Sequence, residues 1–546
     1  MPLLLGNLRS SGWAYRLNNA RRCTALALCA LLAGCAANPP GASAPKRVSN
    51  ALDPATETPL SRTFHAAALA ADGKSGLRML SVGLDGLLVR TQLIDATTRT
   101  LDLQYYIFRA DESGNLIAAA LMRAADRGVR VRILIDDGET VPGDERILSL
   151  AAHPGVEVRI FNPLRYRGHN RVLRGMEFLT EKQRLDYRMH NKLLVADNTV
   201  ALIGGRNIGD QYFQIDPDSQ FGDDDLVVVG PMVARLSGVY DQFWNGPLAI
   251  PAEAVDQKHA STQALAQYRD VLAARQKLPS DTRAAFLQRA ASGEPLAGIL
   301  AGRAALMWVP MELVFDSPDK KDVDAGLAFG HLIYAPVAKQ IDSVNSELLM
   351  VTPYFVPSNS ELGILEQARA RQVRVSLLTN SLAAAPVLAA QSGYMHYRVR
   401  LLEHGVELHE LRARLGNTQG SGQGKAISRH GNYALHSKLY VFDRKKVYVG
   451  SMNFDERSKH LNTEIGLIVN SEELAQQVVR RFDELTSLDN AYTVVLGANS
   501  TAGHPHLEWK TREAGQPVSY TVEPARSRSQ KFEVEFLSLL PLDHEL

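Results

Sequence analysis

The first marked hydrophobic pattern is an apolar run at 101–107, which is rich in aromatic and branched residues and typical of a β-strand. Residues 114–127 follow with apolar positions at helical spacing, and Gly128 stands where a glycine commonly ends a helix. A second apolar run at 129–135 is typical of a buried strand. This order predicts two parallel strands joined by a right-handed helical crossover, and therefore an α/β fold.

The same order returns later in the chain, with strands predicted at 348–354 and 373–378 and a helix at 360–370. The sequence Arg-Gly-Val-Arg-Val from Arg127 corresponds to Arg-Gln-Val-Arg-Val from Arg371, and each reaches a His-x-Lys sequence after 63 and 65 residues respectively. Because there are two copies only, the repeat predicts two similar α/β halves with mixed sheets packed together, not a solenoid.

The rest of the chain divides around these halves by composition. The predicted organisation is a signal peptide at 1–34, a lipidated Cys with a flexible tether at 35–74, the first half at 75–250, a helical connector at 251–305, the second half at 306–490 and a C-terminal extension at 491–546. Within the extension, 518–522 and 532–537 are strand-like runs.

The N-terminal segment is typical of a bacterial targeting signal. Arg21 and Arg22 precede an apolar stretch at 23–33 that is too short to span a bilayer as a mature helix. The sequence Leu-Ala-Gly-Cys that ends at Cys35 resembles a lipobox, in which the Cys is lipidated and becomes the new N-terminus. The expectation is a lipid-anchored, periplasm-facing envelope protein, and Ala36 after the Cys favours the outer membrane. The alternative is an ordinary signal peptide with a coincidental Cys.

Composition is that of an ordinary globular protein, with 45% hydrophobic and 22% charged residues. The net charge of +1 weighs against a dedicated nucleic-acid binder, which usually has a basic excess, so no nucleic acid is expected as a partner. The three cysteines all lie within the first 35 residues, so the remainder of the chain must be held together by core packing.

Two copies of the motif HxKxxxxD carry the candidate chemistry. The first contains His190, Lys192 and Asp197, and the second contains His436, Lys438 and Asp443. An Asn follows each His by 17 residues, at Asn207 and Asn453. Chance matches at both motifs with the same downstream spacing are very improbable.

This duplicated motif resembles the phospholipase D superfamily, over about residues 75–490. Leu-Gln-Tyr-Tyr from Leu103, Asn-Pro-Leu-Arg-Tyr-Arg from Asn162 and Gly-Gly-Arg-Asn-Ile-Gly-Asp from Gly204 resemble its cardiolipin synthase C branch most. The resemblance implies one active site at the interface of the two halves and a phosphohistidine intermediate.

The residue types suit attack on a phosphodiester. One neutral imidazole can attack phosphorus, and a second, protonated one can donate a proton to the leaving alcohol. By analogy, His190 is expected as the nucleophile and His436 as the acid and base. Lys192 and Lys438 supply positive charge, with Asn207 and Asn453 as donors, and the scheme needs no metal or other cofactor.

Further residues are assigned by resemblance. Asp225 and Glu464 are candidates to hydrogen-bond the catalytic imidazoles, or else are strand-end surface acids. Asp197 and Asp443 belong to the motif but resemble residues that order the adjoining turn.

Two basic loops precede the two motifs. They are expected to bind an anionic headgroup or the bilayer surface, or else to be solvated; the candidates are Arg165, Arg167, Arg171, Arg412 and Arg414.

The resemblance implies phosphatidyl transfer onto phosphatidylglycerol to give cardiolipin, with phosphatidylethanolamine as a candidate donor. The expected partners are phospholipid substrates and the membrane surface. Three alternatives stay open: a phospholipase D that releases phosphatidic acid, a periplasmic phosphodiesterase or nuclease, and a non-catalytic lipid-binding envelope protein.

Overall fold

The computed structural model describes residues 38–168, 170–277, 305–415, 432–498 and 506–540, together with 284, 286–289, 298–299 and 500. Two large mixed sheets, of nine and ten strands, dominate these residues. Among the described residues, no helix is both long and apolar enough to span a bilayer. Cys35 and the rest of the predicted signal lie outside the described residues.

The first sheet has parallel pairing at its centre and antiparallel pairing on both sides. Its strands β2 (Thr100–Tyr105), β3 (Arg130–Asp136) and β4 (Val156–Phe161) are parallel neighbours, as the strand–helix–strand pattern predicts. Across the sheet the order is β10 (Ala249–Pro251), β4 (Val156–Phe161), β3 (Arg130–Asp136), β2 (Thr100–Tyr105), β6 (Lys192–Ala196), β7 (Val200–Gly204), β9 (Asp225–Val229), β1 (Ser75–Leu80) and β11 (Met307–Val309).

The second sheet repeats seven neighbouring strands of the first sheet, from β4 across to β1, and has three further strands at one edge. Strands β13, β15 and β16 are its parallel neighbours and correspond to β2, β3 and β4. Across the sheet the order is β12 (Met311–Phe315), β22 (Ile465–Asn470), β19 (Lys446–Gly450), β18 (Leu439–Phe442), β13 (Glu347–Val351), β15 (Arg374–Asn380), β16 (Glu407–Leu411), β23 (Ala491–Leu496), β24 (Leu507–Glu513) and β25 (Gln516–Tyr520).

Helices cover the sheets, and several begin at side-chain caps that satisfy exposed backbone N–H groups. Asp111 caps α3 (Glu112–Asp126), and Ser358 with Glu361 forms a capping box at α10 (Asn359–Ala370). The helices are α1 (Pro59–Ala70), α2 (Gly83–Ala96), α3 (Glu112–Asp126), α4 (Arg171–Leu185), α5 (Pro231–Asn245), α6 (Ala252–Val255), α7 (Thr262–Lys277), α8 (Lys320–Asp324), α9 (Tyr334–Asp342), α10 (Asn359–Ala370), α11 (Leu388–Met395), α12 (Arg398–Glu403), α13 (Glu456–His460), α14 (Glu472–Thr486) and α15 (Arg528–Leu537), with a 3₁₀ helix at Asp144–Ala152.

One apolar core joins the two halves. Leu193 and Ile203 of the first sheet lie in the same buried cluster as Leu439 and Leu467 of the second sheet. Helices α5 and α14 add their apolar faces to this cluster. Burial of each such side chain contributes about 1.5–3 kcal/mol, so the halves are held in a fixed relation by their shared core. The prediction of two similar α/β halves packed together is therefore confirmed.

The segment 38–74 is not the flexible tether that its composition suggested. Buried arginines of the first half bind its backbone: Arg132 donates to the carbonyl of Ser49 (2.7 Å) and Arg159 donates to that of Arg47 (2.6 Å). Further along, α1 buries Leu60 and Phe64. Small and polar residues pack here because the partners are buried guanidinium groups, which local composition does not reveal.

The connector and the extension also differ in detail from the expectation. Helix α7 lies in the connector as predicted, but β11, just after it, still belongs to the first sheet, so the chain changes sheets at Pro310. In the extension, β23, β24 and β25 enlarge the second sheet. The run at 532–537 is helical, within α15, where a strand was expected.

Candidate active site

Each motif histidine is placed by a short strand that pairs with the opposite half. Strand β5 (Arg188–Met189) lies parallel to β21 (Asn462–Thr463), and His190 directly after it donates its backbone N–H to Thr463 (2.9 Å). Strand β17 (Asn432–Leu435) lies parallel to β8 (Ser219–Gly222), and the backbone N–H of His436 donates to Gly222 (2.8 Å). Both histidines therefore lie at the interface between the halves, as predicted.

The carboxylates that hold the two imidazoles are exchanged between the halves. Nδ1 of His190 lies 3.0 and 2.9 Å from the two carboxylate oxygens of Glu464. Nδ1 of His436 lies 2.5 Å from Oδ2 of Asp223. Both carboxyl groups are fully buried. Since Nδ1–H donates to a carboxylate in each case, Nε2 is the ring atom left to react. Glu464 therefore lies at hydrogen-bonding distance from a motif imidazole, where the sequence analysis placed it.

The prediction for Asp225 is wrong, and Asp223 takes its place. Oδ2 of Asp225 accepts from Arg90 (2.9 Å) and Arg206 (3.1 Å), all three side chains being buried within the first half. Between them, Asp224 accepts from the hydroxyl of Ser437 (2.6 Å). Three consecutive aspartates thus have three different partners. The sequence Asp-Asp-Asp offers no local signal to choose among them, because the partners come from distant segments.

Each motif lysine places its amine at its own histidine. Nζ of Lys192 donates to the carbonyl of His190 (2.6 Å), and Nζ of Lys438 donates to that of His436 (2.5 Å). Burial lowers the pKa of Lys438 to about 8, although Asp223 and Glu464 act to raise it. Burial also lowers the pKa of Lys192 well below its ordinary value. An anionic phosphate bound between the two amines would favour their charged forms.

Both imidazoles are neutral at pH 7. Burial, followed by the charge of Lys438, lowers the pKa of His436 to about 3. Burial and the charges of Lys192 and Lys438 lower the pKa of His190 well below its ordinary value. A neutral imidazole with its Nε2 lone pair free is the form that attacks phosphorus.

The two carboxylates differ in charge. Burial alone would raise the pKa of Asp223, but His436 and Lys438 outweigh it and hold that pKa below its ordinary value. Burial raises the pKa of Glu464 to about 7, although Lys192 and the hydroxyls of Ser451 and Ser458 lower it. Asp223 is therefore an anion beside His436, ready to stabilise an imidazolium there.

Aromatic rings form walls around the imidazoles. Tyr106 meets His190 edge-on at 5.0 Å, and Tyr212 meets His436 edge-on at 5.1 Å, while Phe221 stacks on His436 at 5.4 Å. Tyr106 and Arg167 also line a small cavity in the first half. These apolar walls lower the local polarity and strengthen the charge interactions of the site.

The two motif asparagines are buried beside the histidine-bearing strands, and Oδ1 of Asn207 accepts from the backbone N–H of Ile107 (3.2 Å). Within the described part of the chain, Oδ1 of Asn453 is buried without a partner. This orphaned oxygen marks Asn453 as a side chain that is free to orient toward a bound group.

The motif aspartates are structural. Asp197 accepts from the backbone N–H groups of Arg99 (2.7 Å) and Thr100 (2.9 Å). Asp443 makes the equivalent bonds to Ser346 (2.7 Å) and Glu347 (3.0 Å). Each therefore closes a turn at the far end of the strand that follows its histidine, and neither contacts an imidazole.

The predicted basic residues are only partly available to a ligand. Arg167 pairs with Asp137 and lines the cavity beside Tyr106, whereas Arg165 is held by Glu181 (2.5 Å). In the second half, Arg412 pairs with Glu513 (3.2 Å) and is tied to backbone carbonyls. Arg414 is exposed, and the side chain of Arg171 lies outside the described residues. The loop around 171 is a helix, α4, which the sequence did not predict.

Comparisons with known proteins agree with this architecture. A family model described as cardiolipin synthase, PLD-like domain matches residues 91–234 and 337–486, so that each matched segment contains one motif. Cardiolipin synthase C of Escherichia coli (strain K12) is 34% identical over 477 residues, which cover 86% of this chain and 96% of that protein. An uncharacterized protein of Helicobacter pylori (strain ATCC 700392 / 26695) is 29% identical over 405 residues, covering 73% of this chain and 77% of that protein.

Among solved structures, phosphatidylserine synthase of Haemophilus influenzae Rd KW20 is similar, with a TM-score of 0.48 and 12% identity. The similarity covers 79% of this chain and 91% of that one.

Proposed function

The chain belongs to the family of cardiolipin synthases with a PLD-like domain, and we propose that it transfers a phosphatidyl group onto a hydroxyl of phosphatidylglycerol to give cardiolipin. The observation that carries the proposal is the reciprocal pairing of His190 with Glu464 and of His436 with Asp223. Each half supplies the carboxylate that orients the other half's imidazole. One complete acid–base and nucleophile pair therefore requires both halves.

In the first step, Nε2 of His190 attacks the phosphorus of the donor lipid, and the phosphorus–oxygen bond to the headgroup alcohol breaks. The proton for the leaving oxygen comes from Nε2 of His436. Because Lys438 and Lys192 lower the pKa of His436, the negative charge of a bound phosphodiester offsets them and raises the fraction of imidazolium. Substrate binding thereby prepares the acid.

In the second step, His436 accepts the proton of the incoming hydroxyl, whose oxygen attacks the phosphohistidine and releases His190. Lys192 and Lys438 neutralise the phosphoryl oxygens in both steps. The charge of Asp223 stabilises the imidazolium form of His436 each time it arises.

The proposed enzyme acts at a membrane surface. Lipidation of Cys35 would hold the site at a periplasmic membrane surface, where phospholipid donors and acceptors are concentrated, and Ala36 favours the outer membrane. Phosphatidylethanolamine is the proposed donor and phosphatidylglycerol the proposed acceptor.

The test is a product analysis by mass spectrometry. Purified protein is given headgroup-labelled phosphatidylethanolamine and acyl-labelled phosphatidylglycerol in mixed micelles. Cardiolipin that carries the acyl label is the expected product. Phosphatidic acid as the sole product would show that water is the acceptor and would contradict transfer to phosphatidylglycerol.

A further inference from the structure

Helix α4, which leads directly into the first motif, has its apolar side turned outward. Along 172–179 the exposed fractions are 70% for Val172, 58% for Met176 and 80% for Leu179, and Leu173 is 43% exposed. Val172, Met176 and Leu179 are spaced at three and four residues and so share one helix face. A helix that packs on a protein core normally presents the opposite arrangement.

The charged side of α4 is the side that faces the protein. Glu177 accepts from the backbone N–H groups of Arg165 (2.6 Å) and Tyr166 (2.9 Å). Arg174 donates to the carbonyl of Thr140 (3.1 Å), and Glu181 pairs with Arg165. Both carboxylates of the helix are used in these internal contacts. Among the described residues, the outward face of α4 therefore carries apolar and neutral side chains.

Helix α4 lies next to the segment that carries the first motif histidine. The helix ends at Leu185, and β5 then leads to His190. At that end, Lys321 of α8 donates to the carbonyl of Gln183, so the second half contacts the helix as well. The loop after α8 carries two further exposed apolar side chains, Leu327 and Phe329. Apolar groups from both halves thus lie next to the segment that positions the first histidine.

The chain enters the structure beside the same helix. Arg165, which is held by Glu181 of α4, also donates to the carbonyl of Asn38 (2.7 Å), where the described chain begins. Cys35 lies three residues earlier, a span of about 10 Å at full extension. A lipid on Cys35 would therefore enter the bilayer close to α4.

We propose that the outward face of α4 inserts into a phospholipid bilayer and docks the active site on the membrane that holds its substrates. This inference rests on the proposed function for its choice of lipid over a protein partner. Apolar side chains at helical spacing, backed by charged groups that do not face the lipid, are the features of an interfacial helix. The helix and the N-terminal lipid would act as two attachment points, which together give a stable anchor where one is marginal.

The experiment measures flotation of the full chain with vesicles of phosphatidylethanolamine and phosphatidylglycerol, in a Cys35→Ser background that removes the proposed lipid. Met176→Gln with Leu179→Gln is expected to lower the vesicle partition coefficient about 10-fold or more, because two inserted apolar side chains become polar. Leu69→Gln with Val522→Gln is the matched control. Those residues are 70% and 58% exposed, and their substitution is expected to leave partitioning unchanged.

Equal partitioning of the α4 variant and the control would overturn the proposal. A change from dimer to monomer in the α4 variant, with vesicle binding unaltered, would also overturn it, because the face would then be covered by a second copy. Turnover of a short-chain, monomeric donor by the unsubstituted protein is measured in parallel. Loss of flotation by the α4 variant, together with turnover of the short-chain donor by the unsubstituted protein, supports docking through α4. Flotation of the unsubstituted protein without turnover of this donor would contradict the proposed function and leave the docking proposal supported.

Discussion

Replacement of Asp223 by Asn is the substitution whose effect the geometry defines most closely. Oδ1 of Asp223 accepts the backbone N–H of Asp224 (2.8 Å), while Oδ2 faces Nδ1 of His436. In the Asn variant the amide oxygen keeps the bond to Asp224, so the amide nitrogen must face His436. Two donors cannot share that contact, and the imidazole is driven to the tautomer that carries its proton on Nε2.

Asp223→Asn is expected to lower kcat because the variant loses both the correct tautomer of His436 and the anion beside its imidazolium form. In the serine-protease triad, the equivalent Asp-to-Asn change lowers kcat by about 10⁴-fold, or about 5 kcal/mol of transition-state stabilisation. We expect a loss of about 10³–10⁴-fold for Asp223→Asn, with the protein folded. The phosphatidyl-transfer rate is measured from pH 5 to pH 9, beside thermal unfolding followed by circular dichroism.

Asp225→Asn is the matched control, since Asp225 is equally buried and two residues away. It removes the carboxylate that pairs with Arg90 and Arg206, and such uncompensated buried charge costs about 3–5 kcal/mol of stability. The folded fraction should retain its kcat and its pH profile. Near-normal kcat for Asp223→Asn, or a selective loss of kcat for a well-folded Asp225→Asn, would refute the assignment.

Three further substitutions or conditions have defined outcomes. Burial raises the pKa of Glu464 from 4.5 in the unfolded chain to about 7 in the folded protein. The protonated Glu464 therefore contributes stability that is fully present below pH 4.5 and is lost as the pH rises to 7. Glu464→Gln should abolish this pH-dependent loss of about 3 kcal/mol in the free energy of unfolding, measured across that pH range. The pKa of about 8 for Lys438 predicts that kcat/KM falls as the pH rises through 8, because the amine loses its charge; a flat profile from pH 7 to 10 would contradict this role. Asp443→Asn should lower stability by about 1–2 kcal/mol in chemical denaturation and leave kcat unchanged, since the carboxylate of Asp443 holds the turn at Asn345, Ser346 and Glu347 and does not contact an imidazole. A large loss of kcat in the folded variant would show a chemical role.

The repeat in the sequence was sufficient to predict the architecture. Strand β2 and its counterpart β13 are apolar runs that each lead through a helix to a parallel neighbour, so local patterning and the handedness rule determine their pairing. The histidines and lysines were predictable for a related reason. Their spacing is a local property of two short segments, each of which contains the complete motif.

The contacts between distant segments were not predictable in the same way. Asp223 pairs with a histidine 213 residues away, and no feature of an Asp-Asp-Asp sequence specifies which carboxylate reaches it. The segment that contains helix α4 was interpreted as a basic loop because Arg165, Arg167 and Arg171 cluster at or before its start, while the apolar residues of the helix lie on the outward face. The packed segment at 46–51 was missed because its partners are buried arginines of strands that are distant in sequence.

The central claim is that both halves form one active site that acts through a single phosphohistidine, and acid-free quenching of the working enzyme tests it directly. Donor lipid labelled with ³²P is mixed with the wild type, His190→Ala and His436→Ala, and the labelled peptides are mapped by mass spectrometry. We expect label on His190 in the wild type and none in His190→Ala. We also expect no cardiolipin from either variant, because transfer needs one imidazole as the nucleophile and the other, held by a carboxylate of the first half, as the acid and base. Independent labelling of His436 in His190→Ala, with turnover retained, would show two separate sites and would contradict a single active site shared by the two halves.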